Sequence, residues 1–145
     1  IDLDIAAIPQ DVGMAFHVRN EREFEAVCFH IGDEARNESE SQRVIVRYFS
    51  TYPGRSVKRE AQFDLPYGQS GEWFKARLSI SREVVAVFIN GANLPTLSVD
   101  APGGADVYGS VGLWIGPGSS ALVTDFRIHV AGGDIEKQIR SIFGR

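Results

Sequence analysis

The stretch "SVGLWIGPG" at 110–118 sets a large indole, Trp114, between glycines and ahead of a Pro-Gly turn. A flat aromatic ring in so open a setting can stack on the C–H face of a sugar, and its apolar body is costly to leave in water. Trp73 offers a second such ring, beside Lys75 and Arg77. His17, His30 and Arg47 carry the polar chemistry that would orient hydroxyls or a carboxylate in a groove. The competing reading leaves the histidines as ordinary surface residues and Trp114 covered by a loop or by the tail.

Other residues carry weaker signals. Glu21, Glu23 and Glu25 stand at i, i+2 and i+4, a spacing that suits paired carboxylates of a retaining glucanase, which must lie about 5–5.5 Å apart. Strand parity from Val27, Phe29 and Ile31 turns Glu25 to the core side and argues for a solvated turn plus a paired strand-end glutamate. Cys28, the single cysteine, sits between Val27 and Phe29 and reads as a small buried hydrophobe rather than a nucleophile. No intrachain disulfide is possible with one cysteine. Asp33, Glu34, Glu38 and Glu40 lie in the polar stretch 32–43, where calcium would need six to eight oxygens. No calcium-loop spacing appears, no other metal site is indicated, and no cofactor is expected. The segment "STYPGRSVKRE" at 50–60 carries Tyr52 and several cations; it reads as a solvated hairpin loop, with anion recognition as the alternative.

Composition narrows the classes. A chain of 145 residues suits one domain with a sizeable core. A net charge of −4 without a basic run argues against nucleic acid as the partner. No apolar run approaches the roughly 18–20 residues of a membrane-spanning helix, so no membrane partner is expected. Nothing reads as a signal peptide; with Ile1 rather than Met at the start, an upstream targeting segment stays open. The P-loop, GxGxxG, HExxH and GxSxG patterns are missing.

The elements that must position these side chains are strands. "GMAFHV", "AVCFHI", "RVIVRYF", "WFKARLSI", "EVVAVFING", "SVGLWIG" and "ALVTDFRIHV" alternate with period 2, and turn residues recur between them. "GEWFKARLSI", "EVVAVFING" and "TLSV" read as a three-strand meander, with Asn90-Gly91 as a turn signal. "LDIAAIP" and "ALVTDFRIHV" would lie side by side and close the fold. In "SVGLWIG", Val111, Leu113 and Ile115 share the core side and Trp114 faces out. Trp73 and Phe88 also face out, and would join Trp114 in one platform if their strands share a sheet. Helix signal is confined to "GGDIEKQIRSIF", where Asp134 can cap and Ile135, Ile139, Ile142 and Phe143 share a face over 134–143. Many strands with so little helix make an all-β, two-sheet antiparallel sandwich or a barrel.

"GMAFHVRNEREFEAVCFHI", "VIVRYFSTYPG", "GEWFKARLSISREVVAVFINGANLPTLSV" and "GSVGLWIGPGSSALVTDFRI", in that order, resemble the laminin-G-like, concanavalin-A-like jelly-roll domains of bacteria. The resemblance is nearest to the 3-keto-disaccharide hydrolase type (domain of unknown function 1080). It implies a jelly roll over 1–131 that lacks an upstream strand, followed by a tail at 132–145 with a short C-terminal helix. It further implies an extracellular or periplasmic location and carbohydrate as partner. Relatives often carry an aromatic where Cys28 stands, an arginine where His30 stands and a histidine where this chain has Val44, which lowers the expectation of catalysis. A non-catalytic lectin-like module using Trp114, Trp73, His30, His17 and Arg47 is therefore expected. The alternatives are a glycoside hydrolase and a structural or protein-interaction module that self-associates or docks through the tail helix or an open sheet edge.

Overall fold

The computed structural model describes residues 1–6, 11–31, 41–54, 57–66, 73–100, 108–119 and 122–129. Ten strands follow in order: β1 (Asp2–Ala6), β2 (Asp11–Asn20), β3 (Glu23–Ile31), β4 (Ser41–Ser50), β5 (Lys58–Pro66), β6 (Trp73–Ile80), β7 (Val84–Ile89), β8 (Leu97–Asp100), β9 (Ser110–Ile115) and β10 (Leu122–Arg127). They form two five-stranded sheets, β10-β1-β6-β7-β8 (sheet I) and β5-β4-β3-β2-β9 (sheet II). Every pairing is antiparallel. Among the described residues there is no helix, so none is long and apolar enough to cross a membrane. The acidic residues weighed as calcium ligands (Asp33, Glu34, Glu38, Glu40) and the expected tail helix at 134–143 lie outside the described residues.

Period-2 patterning builds one core between the sheets. Val12, Met14 and Phe16 of β2, Val27 and Phe29 of β3, and Val44, Val46 and Tyr48 of β4 point inward from sheet II. Phe74, Ala76 and Leu78 of β6 and Val85, Val87 and Ile89 of β7 meet them from sheet I. The sheets interlock through aromatic rings: Phe74 sits edge-to-face with Phe29 at 5.2 Å and with Phe63 of β5 at 5.4 Å. This arrangement is consistent with a β-sandwich. The meander β6-β7-β8 forms as the sequence predicts, and β1 pairs with β10. Asn90 and Gly91 both take positive φ, 51° and 72°, and Ala92 N–H donates to the Ile89 carbonyl at 3.1 Å. β8 resumes only at Leu97, so this turn ends β7 without forming a two-residue hairpin.

Two expectations are corrected. The 50–60 segment is not all loop: Lys58, Arg59 and Glu60 begin β5, an edge strand whose outer face is charged. Leu113 and Ile115 hold the core-side parity, since they pair with Met14 and Val12, yet they are about half exposed. β9 ends its sheet, and an edge strand's inner face has neighbours on one side only.

The outer face of sheet II shows why β2 and β3 have their composition. Cross-strand rows run Trp114–Gly13–Cys28–Arg47–Glu60 and Gly112–Ala15–Ala26–Phe49–Lys58. In these two rows β2 and β3 contribute only Gly13, Ala15, Ala26 and Cys28. At Gly13 the backbones approach so closely that a Cβ would stand 1.9 Å from the Val27 carbonyl oxygen and 2.6 Å from the Cys28 Cα. A Cβ at Gly112 would meet nothing within 4 Å. Gly13→Ala is therefore expected to destabilise the fold by about 1–3 kcal/mol or more, as overpacking does, while Gly112→Ala changes stability by no more than about 0.5 kcal/mol. Urea titrations of the two variants check this pair.

Candidate functional site

The small floor of β2 and β3 lets long side chains from the flanking strands lie down over it. Trp114 on β9 and Phe49 on β4 start three strand spacings apart, about 14 Å at the backbone. Their ring centroids nevertheless stand 5.5 Å apart at 72°, an edge-to-face contact above the floor. Phe24 continues the ladder, 6.1 Å from Phe49. All three rings are half-buried, while Ala26 and Cys28 beneath them are closed to solvent. Trp114 is thus neither core nor a freely projecting plate. It is the outer member of an aromatic layer resting on its own sheet.

Polar pairs border this layer. Asp11 stands opposite His30, whose Nδ1 lies 2.7 Å from the Asp11 carboxylate. A Cβ at Gly116 would lie 2.8 Å from the Asp11 Cβ and 3.2 Å from the Trp114 Cη2, so the far edge of the indole runs beside Asp11. The turn after Trp114 is stitched to the same residue: Gly116 N–H donates to the Asp11 carbonyl at 3.0 Å, and Asp11 N–H to Ser119 Oγ at 3.1 Å. On the other flank, Arg47 Nε donates to Glu60 at 2.6 Å. That bond holds the Glu60 carboxyl below its ordinary range and the guanidinium above its own. The arrangement offers an apolar ring edge with hydrogen-bond donors and acceptors around it, which is how sites for hydroxyl-rich ligands are built.

No family model and no curated protein matches the sequence. The reading of this face therefore rests on its chemistry.

Of the residues singled out from sequence, Trp114, His30 and Arg47 converge on this face; Trp73 and His17 do not. Trp73 is 40% exposed on the outer face of sheet I, where it lines a hollow of about 310 Å³ with Lys75, Asn90 and Thr124. Phe88 stays on that sheet too, under the Arg77 guanidinium at 5.2 Å. The single platform of Trp114, Trp73 and Phe88 is thus divided between opposite sides of the molecule. His17 departs for a local reason. Pairing of β2 slips between Phe16 and Asn20 against β3, and between Ala15 and Val18 against β9. His17 takes φ +49° at this bulge. The extra residue reverses its side, and its Nδ1 meets the Glu25 carboxylate on the core side.

Glu25 is buried, as strand parity predicts, and also accepts the Tyr48 hydroxyl at 2.6 Å. Burial, followed by that bond, raises the Tyr48 phenol well above its ordinary range, so it remains a donor. Glu21 lies in the β2–β3 turn, and Glu23 accepts from Asn20 at 3.4 Å. The three glutamates do not converge on one groove. Among the described residues no three of His, Cys, Asp and Glu cluster as metal ligands.

Asp11, Glu60 and Phe49 escape the sequence reading. Outward parity with Arg47 marks Phe49, but Asp11 and Glu60 become partners only through register.

Burial pushes the Cys28 thiol up to about 11, against the pull of Arg47. A thiol so protected is a poor nucleophile at neutral pH. Because its folded pKa exceeds the ordinary 9.0, its contribution to stability is complete below about pH 9 and is lost as pH rises toward 11, a change of roughly 2–3 kcal/mol. Cys28→Ala is expected to flatten that alkaline loss in denaturant titrations. Ellman's reagent at pH 8 is expected to modify Cys28 only as fast as the chain unfolds.

Proposed function

We propose that the chain is a non-catalytic, jelly-roll carbohydrate-binding module whose ligand lies on the outer face of sheet II. The observation that carries the reading is the half-buried Trp114, braced edge-on by Phe49, with the His30–Asp11 pair at the indole and the Arg47–Glu60 pair on the Phe49 flank. The ring supplies stacking against sugar C–H groups, and the pairs supply orientation through hydroxyls. The nesting of β1 with β10 in one sheet and β2 with β9 in the other supports a jelly roll.

Catalysis is the weaker reading. The carboxylates of this face are each taken up by a neighbour, Asp11 by His30 at 2.7 Å and Glu60 by Arg47 at 2.6 Å, whereas glycoside hydrolysis needs two carboxyl groups turned to one bond, about 5–9.5 Å apart. Glu25 is occupied by His17 and Tyr48 on the opposite face of the sheet.

The test uses a Trp73→Phe background, so that Trp114 alone reports. Iodide quenching of its fluorescence is measured across a panel of oligosaccharides. Shielding by one glycan class, abolished by Phe49→Ala or by His30→Ala, is the expected result. An unchanged quenching constant with every glycan overturns the reading.

One observation favours a protein-interaction role instead. Leu113 and Ile115 on β9, and Leu122, Phe126 and Ile128 on and after β10, are exposed along the edges of the two sheets. An apolar sheet edge invites pairing with another chain. On this reading, sedimentation shows concentration-dependent dimers that Ile115→Lys abolishes; a strictly monomeric chain removes it.

A further inference from the structure

A second feature lies on the far side of sheet II from Trp114. Among the described residues, a cavity of about 740 Å³ opens where β2 and β9 face β6 and the start of β1. Phe16, Leu78, Ile80 and Val111 give it an apolar wall, and His17 lies on that wall. The bulge is what brings the imidazole there. In a regular strand residue 17 faces the outer side, and a histidine at φ +49° is a strained placement.

The ring's chemistry at the wall is set by its partners. Tyr48 O–H donates to one oxygen of Glu25, and His17 Nδ1–H donates to the other. With Nδ1–H held by a carboxylate, the neutral ring carries its lone pair on Nε2, the nitrogen left for a ligand. The Tyr52 hydroxyl donates to the His17 carbonyl and fixes the bulged backbone. The charged groups of the lining each have a partner: Asp2 lies 3.3 Å from His129, Arg77 stacks over the Phe88 ring, and the Ile1 amino group donates to the Leu78 carbonyl at 2.8 Å. The interior therefore combines an apolar wall with one oriented acceptor, in a volume suited to a small organic molecule.

We propose that this cavity is a binding site, separate from the Trp114 face, for an uncharged aromatic or alicyclic alcohol. The ligand's apolar body packs on Phe16, Leu78 and Val111, and its hydroxyl donates to His17 Nε2.

The probe is 1-naphthol, with naphthalene as the hydroxyl-free control, titrated into the whole chain. Saturable binding of 1-naphthol below about millimolar concentration is expected. His17→Gln is expected to weaken it roughly tenfold while leaving naphthalene unchanged, because only the alcohol uses Nε2. Val111→Trp fills the cavity and is expected to abolish both, and Trp114→Ala is expected to affect neither. The ¹⁵N resonance of His17 Nε2 in the unaltered protein is a second readout, should the variants not fold. It is expected to shift with 1-naphthol and not with naphthalene. Loss of binding in Trp114→Ala, an unmoved Nε2 resonance, or no saturable binding of 1-naphthol overturns the proposal.

Discussion

The outer side of sheet II is governed by the close approach of β2 and β3 at Gly13. No Cβ fits between that residue and the Val27 carbonyl. Its neighbours on the same side, Ala15, Ala26 and Cys28, are small and buried. A low floor in the middle of five strands forces the flanking strands to cover it. Trp114 and Phe49 do so from either side and meet. The same strands carry large residues on their other side, Met14, Phe16, Val27 and Phe29, which fill the core. Alternation of small and large along β2 and β3 thus sets both the core and the aromatic layer.

Two faces of one strand then acquire different chemistry through one irregularity. Up to Phe16, β2 alternates regularly and places Asp11 on the outer face beside His30. At the bulge the period fails, and His17 joins Glu25 on the inner side. An ionisable group as buried as Glu25 is tolerated only when its lone pairs are met. Tyr48 and His17 meet them, and no buried side-chain polar atom among the described residues lacks a partner. The strain at φ +49° is offset by that satisfied carboxylate and by the Tyr52 bond to the bulged carbonyl.

Much of this was legible in the sequence and some was not, for reasons that differ by residue. Period 2 locates most strands because one face of each must be apolar, and it puts Glu25 inside against the ordinary preference of a carboxylate. It could not say that Trp73 and Trp114 belong to different sheets. Sheet membership is decided by long-range pairing, and both strands carry the same local signal. β5 was missed because its outward residues, Lys58, Glu60, Gln62 and Asp64, make an edge strand resemble a solvated loop; its inward Ala61, Phe63 and Leu65 were the available signal. The bulge at His17 leaves no mark of its own, since histidine there reads equally well as an outward residue in a regular strand.

The division between the two faces has an energetic logic. On the Trp114 face the polar groups are paired: Asp11 with His30, and Glu60 with Arg47. A sugar bound there as proposed would exchange contacts with groups already paired, so stacking on the ring would have to supply much of its affinity. The cavity at His17 is the reverse case. Its wall is apolar, and the charged groups of the lining, Asp2, Arg77 and the Ile1 amino group, are taken up by His129, the Phe88 ring and the Leu78 carbonyl. For the alcohol proposed there, burial of the apolar body would supply affinity and the oriented imidazole would supply selectivity through one hydrogen bond. A single bulged residue thus separates the polar chemistry of one sheet between opposite sides, and the two proposed sites differ in kind for that reason.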